Sequence, residues 1–294
     1  MKTLAGIVLY NPDIKRLREN IDAIIHQVDC LLLIENGSDD LSYCEQLKEY
    51  TTVLYVNNHE SKGIAYALNQ ICGYAYTHGY KWALTLDQDS VATPGMIDTY
   101  KDIVNYHDNL GILGCKIEDR NFKDPNNEKY QGTFDAPWVI TSAAFTNTEA
   151  WYKCGGFDNE MFIDFVDADI CYNMKRVGYK TMVTFHTKLI QEIGKGTSLK
   201  DLFLLHELRV DNHPAMRKFF WARNSIYLTK KYDHVSLSKV SKLIFKMIVG
   251  ITFYESAKIQ KLWAVAKGIS KGIFMVPKYQ HITDIFLNIE ADKI

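Results

Sequence analysis

The sequence predicts an α/β protein built on a mainly parallel central sheet flanked by helices. Three observations carry that expectation. Continuous apolar runs of strand length alternate with helical patterns through the first 117 residues. Each of the principal runs stops at a polar cluster, namely Tyr10-Asn11, Glu35-Asn36, Asn57-Asn58 and Asp87-Gln88-Asp89. In open sheets of this kind, ligands bind beyond the carboxyl ends of the strands. The chain of 294 residues, 47% hydrophobic and 23% charged, has the composition of a folded domain and not of a disordered one.

The elements follow in order. "TLAGIVLY" (3–10) is the first strand. "NPDIKRLRENIDAIIHQ" (11–27) reads as a helix, with Asn11 as N-cap and Pro12 at the first helical position. Ile14, Leu17, Ile21, Ile24 and Ile25 give it one apolar face. "CLLLIEN" (30–36) is the second strand, followed by a Gly37-Ser38 turn, a short helix and a third strand over 52–56. A loop opening "NNHESKG" leads into the next helix. "YKWALTLD" (80–87) is the fourth strand, 93–107 a helix and "LGILGCKI" (110–117) the fifth strand. Residues 118–135 are polar and turn-rich and read as a loop or hairpin over the site. Residues 167–180 read as a helix ending at Gly178, and 186–214 as a mobile loop.

Composition excludes several classes. A formal net charge of −1 argues against a nucleic-acid binder, which needs a basic surface. Cys30, Cys44, Cys72, Cys115, Cys154 and Cys171 show neither C-x-x-C pairs nor zinc spacing, so they read as reduced thiols of a cytosolic protein. The apolar run at the N-terminus is too short for a secretion signal and ends at Asn-Pro. No stretch reaches the ~18 uncharged apolar residues of a spanning helix.

Two carboxylate groups carry candidate chemistry. Asp87 and Asp89 share one side of an extended segment while Gln88 points away. Such a pair at a strand end offers hard oxygen ligands to Mg²⁺ or Mn²⁺; a solvated strand end would show the same residues. Asp158, Asp164, Asp167 and Asp169 lie within "GGFDNEMFIDFVDADICYNMKRVGYK", among Phe157, Phe162, Phe165 and Val166. Acids in apolar company are raised toward the range of a general base. Acids at a helix N-terminus are also favoured by the macrodipole, which accounts for one or two of the four.

At these residues the chain resembles a known family. "VLYNPD", "IENGSDD", "NNHESKGIAYALNQ", "TLDQDS", "ITSAAF", the Gly155–Tyr179 segment and "HPAMRKFFWARNSIYL" occur in the order found in family 2 inverting glycosyltransferases, over about residues 5 to 230. The closest resemblance within that family is to bacterial rhamnosyltransferases of O-antigen and capsule synthesis. It implies a GT-A fold, with a catalytic domain over 1–232 (nucleotide-sugar binding in 1–117, acceptor and catalysis in 118–232) and a helical C-terminal segment over 233–294.

The resemblance also implies roles. Tyr10 and Asn11 line the base pocket, with Glu35, in place of the family's Asp, accepting from the base. Asn36, Asn57, Asn58, Gly63 and Asn69 shape the nucleotide-sugar pocket, and Gln88 stands beside the acids. Asp87 faces ribose or metal, and Asp89 the metal. Thr141 and Ser142 lie under the sugar, where Ala143 replaces a frequent Gly. Asp167 is the implied catalytic base, with Asp164 the second candidate. Arg217 and Arg223 meet the diphosphate. His213 is a candidate third metal ligand, because Gln191 stands where the family often has His. The implied reaction is sugar transfer from a dTDP- or UDP-linked donor, first of all dTDP-rhamnose, to a saccharide on a polyprenyl diphosphate.

The C-terminal segment adds a location. Val240, Leu243, Ile244, Met247, Ile248 and Ile251 form an apolar stripe, with Lys239, Lys242 and Lys246 off it. Eight lysines against Glu255 alone give residues 236–278 a charge of +7. This suits a peripheral enzyme on an anionic membrane at the cytoplasmic face. The alternative is that the stripe packs on the catalytic domain or on a second subunit in a homodimer. A nucleotidyltransferase would need a Gly-rich basic loop where "YNPD" stands, and a non-catalytic saccharide binder has no need of Asp87, Asp89 and Asp167.

Overall fold

The computed structural model describes residues 1–120, 131–192 and 212–294, together with the backbone of 197–199 and 208–210. The elements are β1 (Thr3–Leu9), α1 (Ile14–Ile24), β2 (Cys30–Glu35), a 3₁₀ turn (Ser42–Leu47), β3 (Leu54–Asn57), α2 (Ile64–Thr77), β4 (Trp82–Asp87), β5 (Val91–Ala92), α3 (Met96–Val104) and β6 (Leu110–Asp119). There follow β7 (Thr133–Asp135), β8 (Ala144–Asn147), α4 (Thr148–Cys154), a 3₁₀ turn (Asn159–Met161), α5 (Val166–Arg176), β9 (Lys180–Gln191), β10 (Thr197–Leu199) and β11 (Leu208–Val210). The chain closes with α6 (Ala215–Lys231), α7 (Leu237–Tyr254), α8 (Lys258–Phe274), α9 (Asp284–Leu287) and β12 (Asp292–Lys293).

Two compact units result. The first comprises residues 1–162, 166–192 and 279–294; the second comprises 163–165 and 193–278. In the first unit a ten-stranded sheet runs β12-β3-β2-β1-β4-β8-β6-β9-β5, with β7 also on β9. The block β3-β2-β1-β4 is parallel, as predicted. The sheet then turns mixed, because β8 pairs antiparallel with both β4 and β6. Strands β1 and β4 are buried nearly end to end, which is why they read as unbroken apolar runs. Trp82 of β4 stacks on Phe145 of β8 at 5.0 Å between ring centroids, and Tyr100 of α3 closes the other side of Phe145 at 5.3 Å.

Several sequence boundaries move. Helix α1 starts two residues after the predicted Asn-Pro cap: Asn11 has φ +46°, and Asp13 is the N-cap, accepting from Arg16 N at 3.0 Å. The predicted mobile loop over 186–214 begins instead as strand, since β9 continues to Gln191. It is masked in pattern because its register on β6 shifts between Thr184 and Lys188, breaking the alternation. Residues 193–196, 200–207 and 211 of that segment lie outside the described residues, as does 121–130 of the predicted loop over the site. The ends of the latter are strand: 118–119 complete β6, and β7 pairs antiparallel with β9.

In the second unit α6 and α8 pack closely because two glycines of α8 face the α6 backbone. A Cβ at Gly268 would lie 2.4 Å from Phe219 O, and one at Gly272 2.7 Å from Arg223 O. Ala222, Ile226, Val240, Ile244, Ile251 and Val265 form the core between the three helices. The apolar stripe of α7 is therefore mostly an internal packing face: Val240, Ile244 and Ile251 are buried, Met247 and Ile248 pack against them, and Leu243 alone of the six is exposed. The expected boundary at 232–233 falls inside this unit, between α6 and α7. The last sixteen residues return to the first unit, where β12 adds an antiparallel edge to β3.

Candidate active site

The carboxyl ends of β1, β2, β3 and β4 lie side by side in the parallel block, so the loops after them meet at one edge. Side-chain amides bind these loops together. Tyr10 N donates to Gln88 Oε1 at 2.8 Å, and Gln88 Nε2 donates to Tyr10 O at 3.1 Å, so Gln88 fixes the end of β1 to the end of β4. The Tyr10 ring is left half exposed. Asn11 N donates to Ser38 Oγ at 2.7 Å, and the Asn11 side chain exchanges hydrogen bonds with Asp39 at 2.9 and 2.8 Å.

Glu35, the acceptor expected for the base, is engaged within the protein at the end of β2. Its side chain is fully buried and accepts from Ser38 N at 2.5 Å, from Ser38 Oγ at 2.9 Å and from Tyr43 OH. It braces the turn over 35–38. Burial, with Glu35 beside it, drives the Tyr43 hydroxyl far above its ordinary pKa, so it stays a donor. Asn36 and Asn58 are likewise hydrogen-bonded within the loops. Asn58 exchanges amide hydrogen bonds with Gln70 of α2 at 2.8 Å each way and donates to Asn36 Oδ1 at 3.1 Å. Asn57 Oδ1 accepts from His59 N at 2.7 Å. Asn69 is buried against the Gly-Gly-Phe turn, accepting from Trp151 Nε1 and Phe157 N and donating to Phe157 O.

Gly63 is required by its surroundings. It has φ +85° and ψ 162°, a region open essentially to glycine, and an added Cβ would sit 2.7 Å from Phe162 O and 2.8 Å from Phe162 Cα. We expect Gly63→Ala to lower stability by about 2–4 kcal/mol, the combined cost of the backbone conformation and the overlap. Urea unfolding measures this, and a loss below about 1 kcal/mol would contradict the described loop.

The acids at the end of β4 are the candidate chemical centre. Asp87 N donates to Ser142 Oγ at 3.1 Å, Ser142 Oγ lies 2.7 Å from Ser90 Oγ, and Asn20 Nδ2 holds Asp87 O at 2.7 Å. Gln191, on the last residue of β9, donates through Nε2 to Asp87 Oδ2 at 2.8 Å. Its Oε1 is buried without a hydrogen-bond partner. A buried amide oxygen with no protein partner is costly, and this one retains its full capacity to accept or to coordinate. Burial raises the Asp89 carboxyl above its usual range. Glu192 pushes the same way, while Arg120 and Arg16 oppose it. Those arginines belong to a surface network with Glu19 and Glu192, the Arg120–Glu19 pair being 3.0 Å apart.

Asp87, Asp89 and the Gln191 oxygen are all hard oxygen donors, so the residues present fit Mg²⁺ or Mn²⁺. His213 belongs to the second unit, just before α6, and among the described residues no three His, Cys, Asp or Glu side chains are grouped to hold a metal ion. Gln191 was visible in the sequence only as a departure from His, and Arg16 and Arg120 left no signal beyond charge.

Thr141 and Ser142 lie where β8 approaches β4. Thr141 O accepts from Thr85 Oγ1 at 2.6 Å, and Ala143 has φ +59°, the conformation that explains a preference for Gly there. Ser142 also lines a cavity of about 200 Å³ whose other walls include Cys115, Ile117, Val139, Ile140 and Val183. Asp167 stands in the first turn of α5, its Oδ1 accepting from Ala168 N at 2.9 Å.

In the second unit, Asp164 accepts from Arg217 Nε at 3.1 and 3.3 Å. Burial still raises its carboxyl above the ordinary range, against the pull of Arg217 and Lys218. Asn224 Nδ2 donates to Ile163 O and Asp164 O at 2.8 and 3.0 Å. Arg223 is buried, donates through Nε to Asn224 Oδ1 at 2.9 Å and lies over the Phe220 ring at 4.6 Å. Arg217 thus pairs with Asp164, while Arg223 Nε is held by Asn224. Phe162, Asp164 and Phe165 all have positive φ, +59°, +64° and +65°. Three such residues in four store strain of ~1–3 kcal/mol each, a pattern found at functional sites.

A parallel-strand edge lined with carboxylates and oxygen donors suits a metal-bound anionic ligand, and comparison with known proteins gives the class: a nucleotide-sugar glycosyltransferase of the GT-A fold. The chain belongs to glycosyl transferase family 2, whose family model matches residues 5–158. It is 24% identical over 259 residues to the dTDP-rhamnosyl transferase RfbF of Shigella flexneri, covering 83% of this chain and 85% of that one. Among solved structures, GalNAc-T7 with UDP, GalNAc and Mn²⁺ superposes with a TM-score of 0.60 at 11% identity over 89% of this chain, which spans about half of that protein (53%). The mannosyltransferase PcManGT of Pyrobaculum calidifontis, in complex with GDP-Man and Mn²⁺, gives 0.53 at 14% identity, over 92% of this chain and 73% of that one. S. aureus TarS 1-349 with UDP-GlcNAc gives 0.51 at 14% identity, over 92% and 89%.

Proposed function

We propose that this enzyme transfers L-rhamnose from dTDP-rhamnose, with inversion, to a saccharide acceptor carried on a polyprenyl diphosphate. The setting is bacterial surface polysaccharide synthesis, O-antigen or capsule, at the cytoplasmic face of the membrane. The observation that carries the transferase chemistry is the Asp87–Gln191 pair beside Asp89, with its unpartnered buried oxygen. Two observations favour the donor. The similarity to RfbF runs over most of both chains. Apart from Ser142, the cavity is lined mainly by apolar side chains, Ile117, Trp138, Val139, Ile140 and Val183 among them, which suit the C6 methyl of a 6-deoxyhexose better than a hydroxymethyl group.

Asp87, Asp89 and Gln191 would hold Mg²⁺ or Mn²⁺. The bound cation supplies charge stabilisation for the departing diphosphate. Gln88 and Asn20 fix the backbone on which the two acids stand. Ser142 orients the start of that turn from below. Asp167 takes the proton from the acceptor hydroxyl as that oxygen attacks the anomeric carbon, and a single displacement inverts the centre. The Asp164–Arg217 ion pair commits Asp164 to holding its own segment, which leaves the base role to Asp167.

The test is thermal stabilisation by dTDP-rhamnose, UDP-glucose, UDP-galactose, UDP-N-acetylhexosamines and UDP-galactofuranose, each with and without Mn²⁺. A ligand at about 100 times its Kd adds ~2.7 kcal/mol to the native state. Stabilisation by dTDP-rhamnose that needs Mn²⁺ is the expected result. Stabilisation by a UDP-sugar alone reassigns the donor, and a flat response across the panel overturns the proposal.

A further inference from the structure

We propose that the outward face of α8 docks on an anionic phospholipid surface. This deepens the location given above and rests on the second unit alone. Ile259, Trp263, Ala266, Ser270 and Ile273 recur at three- and four-residue spacing, so they share one side of the helix. Ile259 is 87% exposed, Trp263 63% and the adjoining Phe274 78%. The other side is spent on the core, where Lys261, Val265, Gly268 and Gly272 are buried. This is not the α7 stripe singled out in the sequence, most of which faces inward.

Charge selects the occupant. Lys258, Lys267 and Lys271 are exposed along the same helix, and Lys267 Nζ lies 5.4 Å above the Trp263 ring. No acid occurs in α8, and the one acid of residues 236–278, Glu255, is buried between Lys218 and Lys261 at 2.6 and 2.8 Å. A second copy meeting through this face would set lysines against lysines. A surface of negative headgroups over hydrocarbon satisfies both the ammonium groups and the large apolar side chains, and Trp is at home at that boundary. A helix of 17 residues, about 25 Å long, would lie in the plane of the membrane. Among the described residues no helix is long and apolar enough to cross it.

The experiment is flotation of the full-length protein with vesicles of phosphatidylcholine alone or mixed with phosphatidylglycerol. Binding to the mixed vesicles is expected, weakened by added salt. The exposed double variant Ile259→Ser, Trp263→Ser should bind at least tenfold more weakly while its circular dichroism and melting curve stay unchanged. Lys258→Gln with Lys267→Gln and Lys271→Gln should lose the preference for phosphatidylglycerol. Equal binding by all variants, or no binding to either vesicle, overturns the proposal. So does a concentration-dependent dimer that Trp263→Ser abolishes. Vesicle binding needs no donor, so a flat donor panel and a failed flotation are separate results.

Discussion

Asp89→Asn is expected to lower kcat/KM by a factor of about 100–1000 while leaving the melting temperature unchanged or slightly raised. The activity loss is the usual cost of removing a group that stabilises developing charge, ~2.7–4 kcal/mol of transition-state stabilisation. The stability effect has the opposite sign for a reason visible in the site. Burial raises the Asp89 carboxyl above its usual range. A carboxylate raised in the folded state is penalised by folding whenever it is ionised, so at neutral pH the negative charge works against the native state. Asn keeps the shape and removes that penalty. Mn²⁺ reverses the order: it should stabilise the wild type and leave Asp89→Asn unaffected. Melting curves with and without Mn²⁺ and steady-state kinetics on one preparation decide this. An active Asp89→Asn enzyme would remove Asp89 from the metal site. A destabilised and inactive one would make the residue structural.

How far this site was legible follows from the physics of each residue. The parallel block was readable because strands covered on both faces must be apolar throughout, and the break to Asp-Gln-Asp is then conspicuous. What the acids touch was not readable. Gln191 reaches Asp87 from the far end of a strand 104 positions along the chain, and its local pattern is blurred by the irregular register before it. Glu35 shows the converse case. It sits at the strand end the family motif leads one to expect, yet Ser38 and Tyr43 turn its carboxylate inward. Asn36, Asn58 and Asn69, expected at the pocket, are buried and clamp loop to loop through their amides. An amide at a loop base meets the same sequence requirement whether it serves a ligand or a backbone. The α7 stripe was ambiguous for a related reason: an apolar helix face has one periodicity whether it buries against lipid, a second subunit or its own neighbours. Nothing local could announce that residues 279–294 return to the sheet, since β12 is a two-residue pairing on β3.

Glu255→Ala should produce the largest loss of stability, about 3–5 kcal/mol, the cost of stranding charges inside a protein. Glu255 caps the end of α7 and is buried between Lys218 of α6 and Lys261 of α8. The two ammonium groups use different oxygens, at 2.6 and 2.8 Å, and Lys261 also donates to Asn212 Oδ1 at 2.6 Å. One acid therefore joins three helices, and its removal leaves two buried ammonium groups without the carboxylate that both of them contact. Replacing all three by apolar residues of similar size, Glu255→Met with Lys218→Met and Lys261→Met, removes the desolvation penalty along with the attraction. That variant should recover most of the loss. Urea unfolding of the wild type, the single variant and the triple variant separates these contributions. Recovery in the triple variant identifies uncompensated charge as the cause. A triple variant as unstable as the single one would point to lost packing, and a cost below about 1 kcal/mol for Glu255→Ala would show that water reaches the lysines.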